Sequence, residues 1–254
     1  MIYLLLGGAC AFLGLHTGLG SSTLLRPLLD AVSPLSPVSV SVLCTAATLS
    51  AALAAAFFAL REPLPLHQDE LLLLAVGAAL GGVLGDVIAA RFLSMIPAAG
   101  VSLLQNALLF TLVALPAVYF STLSRTIQPL AITRVASLPL ALLIALLGSF
   151  LSFGAQPLTL MLYFLLFDAE NDEAAAAALT VTLCSMGGKL ISLLIRMRMN
   201  LPDANVLLWL LPGAIGGALI AMIPGLQAGG QKRGETLLRL SLYTAAINIA
   251  AALA

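Results

Sequence analysis

Apolar runs of membrane-spanning length follow one another along this chain, separated only by short polar or proline-rich links. The runs cover about residues 2–32, 37–60, 70–92, 98–120, 139–167, 174–195, 205–223 and 236–254. The longest link, 121–138, is too short for a soluble domain. Crossing a hydrocarbon core takes about 20 apolar residues per helix. The pattern therefore predicts an all-α polytopic integral membrane protein with about eight hydrophobic segments. Charge agrees, because only 9% of the residues are Asp, Glu, Lys or Arg, against about 25% in soluble domains. So few charges cannot solvate a whole surface, which excludes a soluble enzyme and a disordered chain. Net charge is zero, which argues against nucleic acid as a partner. Cys10, Cys44 and Cys184 are odd in number and lie inside apolar runs. They read as small packing side chains, not as a disulfide scaffold. The opening MIYLLLGGACAFLGLH lacks a basic stretch and reads as the first membrane segment, not a cleaved signal.

The eight runs read as two copies of a four-segment unit. Gly18–Thr23 aligns with Ser152–Pro157, and Leu43-Cys44-Thr45 with Leu183-Cys184-Ser185. Gly81-Gly82 aligns with Gly216-Gly217, and Asn106 with Asn248. The matches come in one order, and their offsets drift only by loop length. The chain is thus expected to be a single transmembrane domain over 1–254. Repeat one covers about 1–120, the linker 121–138, and repeat two about 139–254.

Each copy opens with a segment of about 30 residues, about 45 Å long as a helix against a core of about 30 Å. Both segments carry an internal break, at Gly18–Thr23 and Gly154–Pro157. They are either tilted broken helices or re-entrant pairs of half-helices. Ser21, Ser22 and Thr23 are N-cap types, and Pro157 suits a first helical turn. Each break then aims a half-helix N-terminus inward, with unpaired N–H groups and about half a positive charge. Anions bind at such termini, and two of them converging is a site plan of secondary transporters. If the broken segments span, Arg61, Arg125, Arg134, Arg196 and Arg198 face Arg91, Lys232 and Arg233. If they are re-entrant, Arg61, Arg125, Arg134, Lys232 and Arg233 face Arg91, Arg196 and Arg198. Both arrangements split five to three, so the distribution of positive charge does not choose between them.

The stretch Gly18-Leu19-Gly20-Ser21-Ser22-Thr23-Leu24-Leu25-Arg26-Pro27 resembles the G-I-G-G-G-x-L-L-x-P opening of the sulfite exporter TauE/SafE family. Ser152–Pro157 stands where that family's second G-I-G-G-G-P motif falls, and the resemblance covers nearly the whole chain. It implies transport of sulfite, organosulfonates, thiosulfate or related small anions across a bacterial inner membrane. Ser21 and Ser22 replace two glycines of the first motif, and Ser152, Ala155 and Gln156 replace three of the second. All of these side chains are larger than glycine and narrow the site, and the serines and Gln156 add hydrogen-bond donors.

Polar residues inside apolar runs are functional candidates, because burying them in lipid is costly. The expected substrate-binding set is Gly18, Gly20, Ser21, Ser22, Thr23, Thr45, Ser152, Gly154, Ala155, Gln156, Pro157, Ser185 and Lys189. Lys189 is a candidate partner for the anion or for a carboxylate such as Asp86. His16, Asp86, Asn106 and Asn248 are candidates for coupling or gating, and the expected drive is protons or the substrate gradient. Arg26 reads as an anion attractor at a vestibule or as an interfacial anchor. Gln105 reads as an interhelical hydrogen-bonding residue. No catalytic residue, metal or cofactor is expected, and no phosphate-binding loop motif occurs. The expected partners are a small inorganic or organic anion and the lipid bilayer, with a homo-oligomer left open. The leading function is a secondary transporter of small anions working by alternating access. A non-transporting membrane scaffold subunit is the first alternative, and an intramembrane serine hydrolase using Ser21 or Ser22 with His16 the second.

Overall fold

A computed structural model describes residues 1–32, 35–59, 65–123, 128–196, 204–223, 238 and 241–250. Arg61, Arg125, Arg198, Lys232, Arg233 and the start of the last apolar run lie outside the described residues. All regular structure among the described residues is helical. The helices are α1 (Ile2–His16), α2 (Ser22–Val32), α3 (Pro37–Ala59), α4 (Gln68–Met95), α5 (Ala98–Val118), α6 (Ser137–Leu151), α7 (Gln156–Phe167), α8 (Asn171–Arg196) and α9 (Ala204–Ala221). Residues 241–250 are helical as well. Six stretches are long and apolar enough to cross a membrane: Pro37–Ala59, Gln68–Phe92, Leu103–Thr122, Arg134–Leu151, Asn171–Arg196 and Ala204–Ala221. The chain is therefore a multi-pass membrane protein. Ile2–His16 and Gln156–Phe167 are shorter apolar helices.

Local chemistry sets several ends. Ser36 Oγ accepts the Ser39 N–H at 3.1 Å, capping the start of α3 ahead of Pro37. Asp69 and Glu70 open α4, and Asp172 and Glu173 open α8, where carboxylates favour the positive helix end. α1 stops at Thr17, after which Gly18 and Gly20 take φ of 74° and 82°. The Gly20 N–H then donates back to the Gly14 carbonyl at 2.9 Å, so the chain turns sharply before α2.

Small residues let backbones meet. Gly77, Gly81 and Gly85 of α4 lie against the carbonyls of Leu138, Leu142 and Leu146 of α6. The register climbs on both helices together, so α4 and α6 are parallel. Gly213 and Gly217 of α9 lie against the carbonyls of Leu4 and Gly8, so α1 and α9 are parallel too. Such close small-residue crossings are how helices associate in lipid, where apolar burial provides no drive. α8 also packs on α4, with Gly188 against the Ala79 carbonyl and Gly82 against that of Ser185.

Two ionic knots mark the two ends of the bundle. At one end, Arg134 Nη1 donates to Glu70 Oε2 at 2.9 Å and Nη2 to Glu173 Oε2 at 3.2 Å. This gathers the starts of α4, α6 and α8. At the other end, Arg196 Nη2 donates to Asp86 Oδ1 at 3.0 Å, and Ser192 Oγ to Asp86 Oδ2 at 2.8 Å. The last turn of α7 comes back to the glutamate end. Leu130 N–H and Ile132 N–H donate to the Leu165 and Leu166 carbonyls at 2.9 and 2.7 Å. Tyr163 Oη donates to Glu70 Oε1 at 3.0 Å. The chain therefore reverses between α6 and α7.

Candidate functional site

The break between α6 and α7 is built from strained backbone. Ser152 and Ala155 both adopt left-handed conformations, with φ of 55° and 53°. For a side-chain-bearing residue this costs about 1–2 kcal/mol, and it persists only where surrounding contacts over-determine it. Those contacts come from three other elements, α2, α3 and α8, and from α6 itself. Ser152 Oγ pairs with Ser41 Oγ of α3 at 2.7 Å. It also accepts from Lys189 Nζ of α8 at 2.7 Å. The Gly154 N–H donates to Ser22 Oγ at 2.8 Å, and the Gly154 carbonyl accepts from Thr182 Oγ1 at 2.9 Å. Phe153 N–H closes the turn on the Gly148 carbonyl at 2.7 Å.

The first break touches the second directly. Ser22 opens α2, and its hydroxyl holds the other break's backbone. Any side chain at Gly20 would meet the Gln156 amide oxygen, so Gln156 fills the space that a glycine leaves. α7 starts with no side-chain cap and with Pro157 in its first turn. Helix geometry leaves its first N–H groups without intrahelical acceptors, and the terminus carries partial positive charge. Ser22, Thr23, Ser152 and Lys189 are each 0% exposed, so the junction is closed to water in this conformation.

Lys189 supplies the full charge. Its ammonium donates to the Ser149 carbonyl and to Ser152 Oγ. Among the described residues no carboxylate lies within ion-pair distance of it. A cation held only by neutral oxygens beside two helix N-termini is short of one negative charge. The expected Lys189–Asp86 pair is not formed, because Asp86 takes Arg196 and Ser192, further along α8.

The structure brings together Gly20, Ser22, Ser152, Gly154, Gln156 and Lys189. Ser21, Thr23, Ala155 and Pro157 are buried in the same two breaks. Gly18 is exposed and makes only the turn. The Thr45 hydroxyl bonds the Ser41 carbonyl of its own helix at 2.7 Å, and Ser185 bonds the Thr182 carbonyl at 3.3 Å. Both hydroxyls are engaged locally rather than offered to a path. His16 is 8% exposed and stacks on Phe12, with ring centroids 5.5 Å apart. Asn248 Nδ2 donates to the Pro27 carbonyl at 2.9 Å and reaches Asn106 Oδ1 at 3.4 Å.

Sequence reasoning passed over Ser41, Thr48 and Thr182, which surround Gly154 and Ser152. Thr48 is buried against Gly154, and its hydroxyl has no partner among the described residues. The signal was faint: Thr48 is a single hydroxyl one turn past Thr45 in an alanine-rich run. The Glu70–Arg134–Glu173–Tyr163 knot was also missed, since its members come from four separate stretches.

No curated protein and no solved structure gives a significant match to the chain. A family model described as Sulfite exporter TauE/SafE matches residues 3–253. That match spans both breaks, Lys189 and every helix described above, and the chain belongs to the sulfite exporter TauE/SafE family of membrane transporters.

Proposed function

We propose that the chain is a secondary transporter of small oxyanions, such as sulfite, an organosulfonate or thiosulfate, in a bacterial inner membrane. The observation that carries this reading is the meeting of the two breaks: Gly154 N–H donates to Ser22 Oγ at 2.8 Å, with the Lys189 ammonium on Ser152. Two helix N-termini and one buried cation form an anion site without a metal or a nucleotide. The anion supplies the negative charge that Lys189 lacks. Gly20, Ser21, Ser22, Thr23, Ser152, Gly154, Ala155, Gln156 and Pro157 form its walls. His16, Asp86, Asn106 and Asn248 stand outside that shell as coupling or gating residues.

Two inverted repeats and re-entrant breaks complete the reading. α6 starts at the glutamate end and α7 ends there, which favours a re-entrant pair over a spanning broken helix. α8 leads away from that end, and α9 starts back toward it after residues 197–203. α1 runs parallel to α9 and so starts at the end opposite to α6. The contact of Gly213 on Leu4 has its counterpart in Gly77 on Leu138, and that of Gly217 on Gly8 in Gly81 on Leu142. In this register Gly81 corresponds to Gly217, one residue away from the Gly81–Gly216 match of the sequence alignment. The first helix of each copy then packs on the third apolar segment of the other copy. Alternating access moves α4, α6 and α8 against α1, α3 and α9 around the junction of the breaks.

The test is flux of radiolabelled sulfite into liposomes holding the purified protein, competed with thiosulfate, sulfate, sulfoacetate and chloride. Saturable flux blocked by a subset of these anions is expected, with the blocking set ranking the substrates. No saturable flux under either direction of pH gradient would overturn the reading.

A further inference from the structure

Arg26 stands one turn past the start of α2 and is 2% exposed, so it is no interfacial anchor. Its Nε donates to Asp30 Oδ2 at 3.1 Å, and its Nη2 donates to Gln105 Oε1 at 2.8 Å. Gln105 is itself oriented by its Nε2 donating to the Phe150 carbonyl at 3.4 Å, two residues before the second break. The guanidinium is thus tied to the first break through its own helix and to the second through Gln105. Asp30 balances its charge. Nη1 has no hydrogen-bond partner among the described residues and is closed to water. A buried guanidinium nitrogen carries two hydrogens that require acceptors, and leaving them unmet is costly in a protein interior. The other faces of the group are occupied by partners that fix its plane, and one nitrogen is left open.

We propose that Arg26 is a second anion-recognition group of this transporter, selecting anions that present two or more oxygens. The inference rests on the transporter reading above. The open Nη1 brings two directional N–H donors, which suit the oxygens of a sulfite, sulfonate or carboxylate better than a spherical halide. Lys189 supplies a point charge at the breaks, while Arg26, one turn along α2, supplies the directional donors. Asp30 competes with the anion for the same group and keeps it neutral when the anion is away.

The test compares wild type with Arg26→Lys, Arg26→Gln and Asp30→Asn in liposomes, reading sulfite KM and the inhibition by methanesulfonate relative to chloride. Arg26→Lys keeps the charge and loses the fixed, planar donors. It is expected to raise KM about tenfold or more and to narrow the preference for methanesulfonate over chloride. Asp30→Asn is expected to lower KM. A purely structural role would cut the yield of folded protein and leave the methanesulfonate-to-chloride ratio unchanged. Wild-type flux with an unchanged ratio in both Arg26 variants overturns the role of Arg26 alone. No sulfite flux in the wild type overturns the transporter reading and this inference with it.

Discussion

At the scale of single residues, the junction depends on one glycine and one lysine. Gly20 combines φ of 82° with the Gln156 amide packed where a Cβ would stand. Gly20→Ala is expected to lower flux at least about tenfold, because a misplaced binding geometry costs rate steeply. Adding Gln156→Ala removes the collision but leaves the strained φ, so the double variant is expected to recover only part of the flux. Lys189→Met keeps the side chain's bulk and removes its charge. It is expected to abolish saturable sulfite uptake while the purified protein still elutes as a single folded species. Retained uptake in Lys189→Met would remove Lys189 from the site. The sequence marked both residues, Gly20 as part of a glycine break and Lys189 as an isolated charge in an apolar run. It did not say which neighbours they meet. Helical spacing gives the face on which Lys189, Ser192 and Arg196 lie, yet the helix opposite that face comes from far away in sequence. Local spacing alone offers Asp86 to Lys189, and in the structure Asp86 takes Arg196.

At the scale of elements, α2 shows how a broken helix is repaired inside a membrane. Pro27 has no N–H, so the Thr23 carbonyl one turn back loses its helical partner. Ser241 Oγ donates to that carbonyl at 2.6 Å, and Asn248 adds a second donor from another helix on the Pro27 carbonyl. Buried backbone groups in lipid must find partners of this kind. Ser241→Ala is expected to destabilise the protein by about 0.6–1.7 kcal/mol, the range for interhelical hydrogen bonds in membranes. In a Pro27→Ala background the restored N–H serves Thr23 instead, so the same substitution is expected to cost less. Denaturation in detergent, run as a double-mutant cycle, checks the sign of that coupling. The α1–α9 contact makes a sharper demand. Gly217 lies on the Gly8 carbonyl, and Gly217→Val would drive the helices apart. Loss of folded protein is the expected outcome, read as aggregation on size-exclusion chromatography. Proline and glycine were legible as breaks and close contacts, but the donor that repairs Thr23 lies 218 positions away.

At the scale of the whole molecule, the two ionic knots hold α4 and α8 together at both ends. Arg134 clips Glu70 to Glu173, and Arg196 clips Asp86. The break residues between them are buried, so access requires one end to loosen. Asp86→Asn is expected to loosen the aspartate end. Cys44, 0% exposed in this conformation, is a native reporter of that change. In a background carrying Cys10→Ser and Cys184→Ser, labelling of Cys44 by a membrane-impermeant maleimide is expected to speed up several-fold in Asp86→Asn. An unchanged labelling rate would show that the Asp86–Arg196 pair is structural and not a gate.

Sequence alone determined the solvent, the helical class, the positions of the two breaks and the resemblance that the family match bears out. These depend on hydropathy, length and glycine or proline within a short window, all local to the chain. Only the tertiary structure decided that the breaks touch through Ser22 and Gly154, and that Thr48 joins them while Thr45 turns back on its own helix. It also decided that Arg26 is buried with one nitrogen open. Those outcomes depend on which helix faces which, and that is set by small-residue contacts between backbones far apart in sequence.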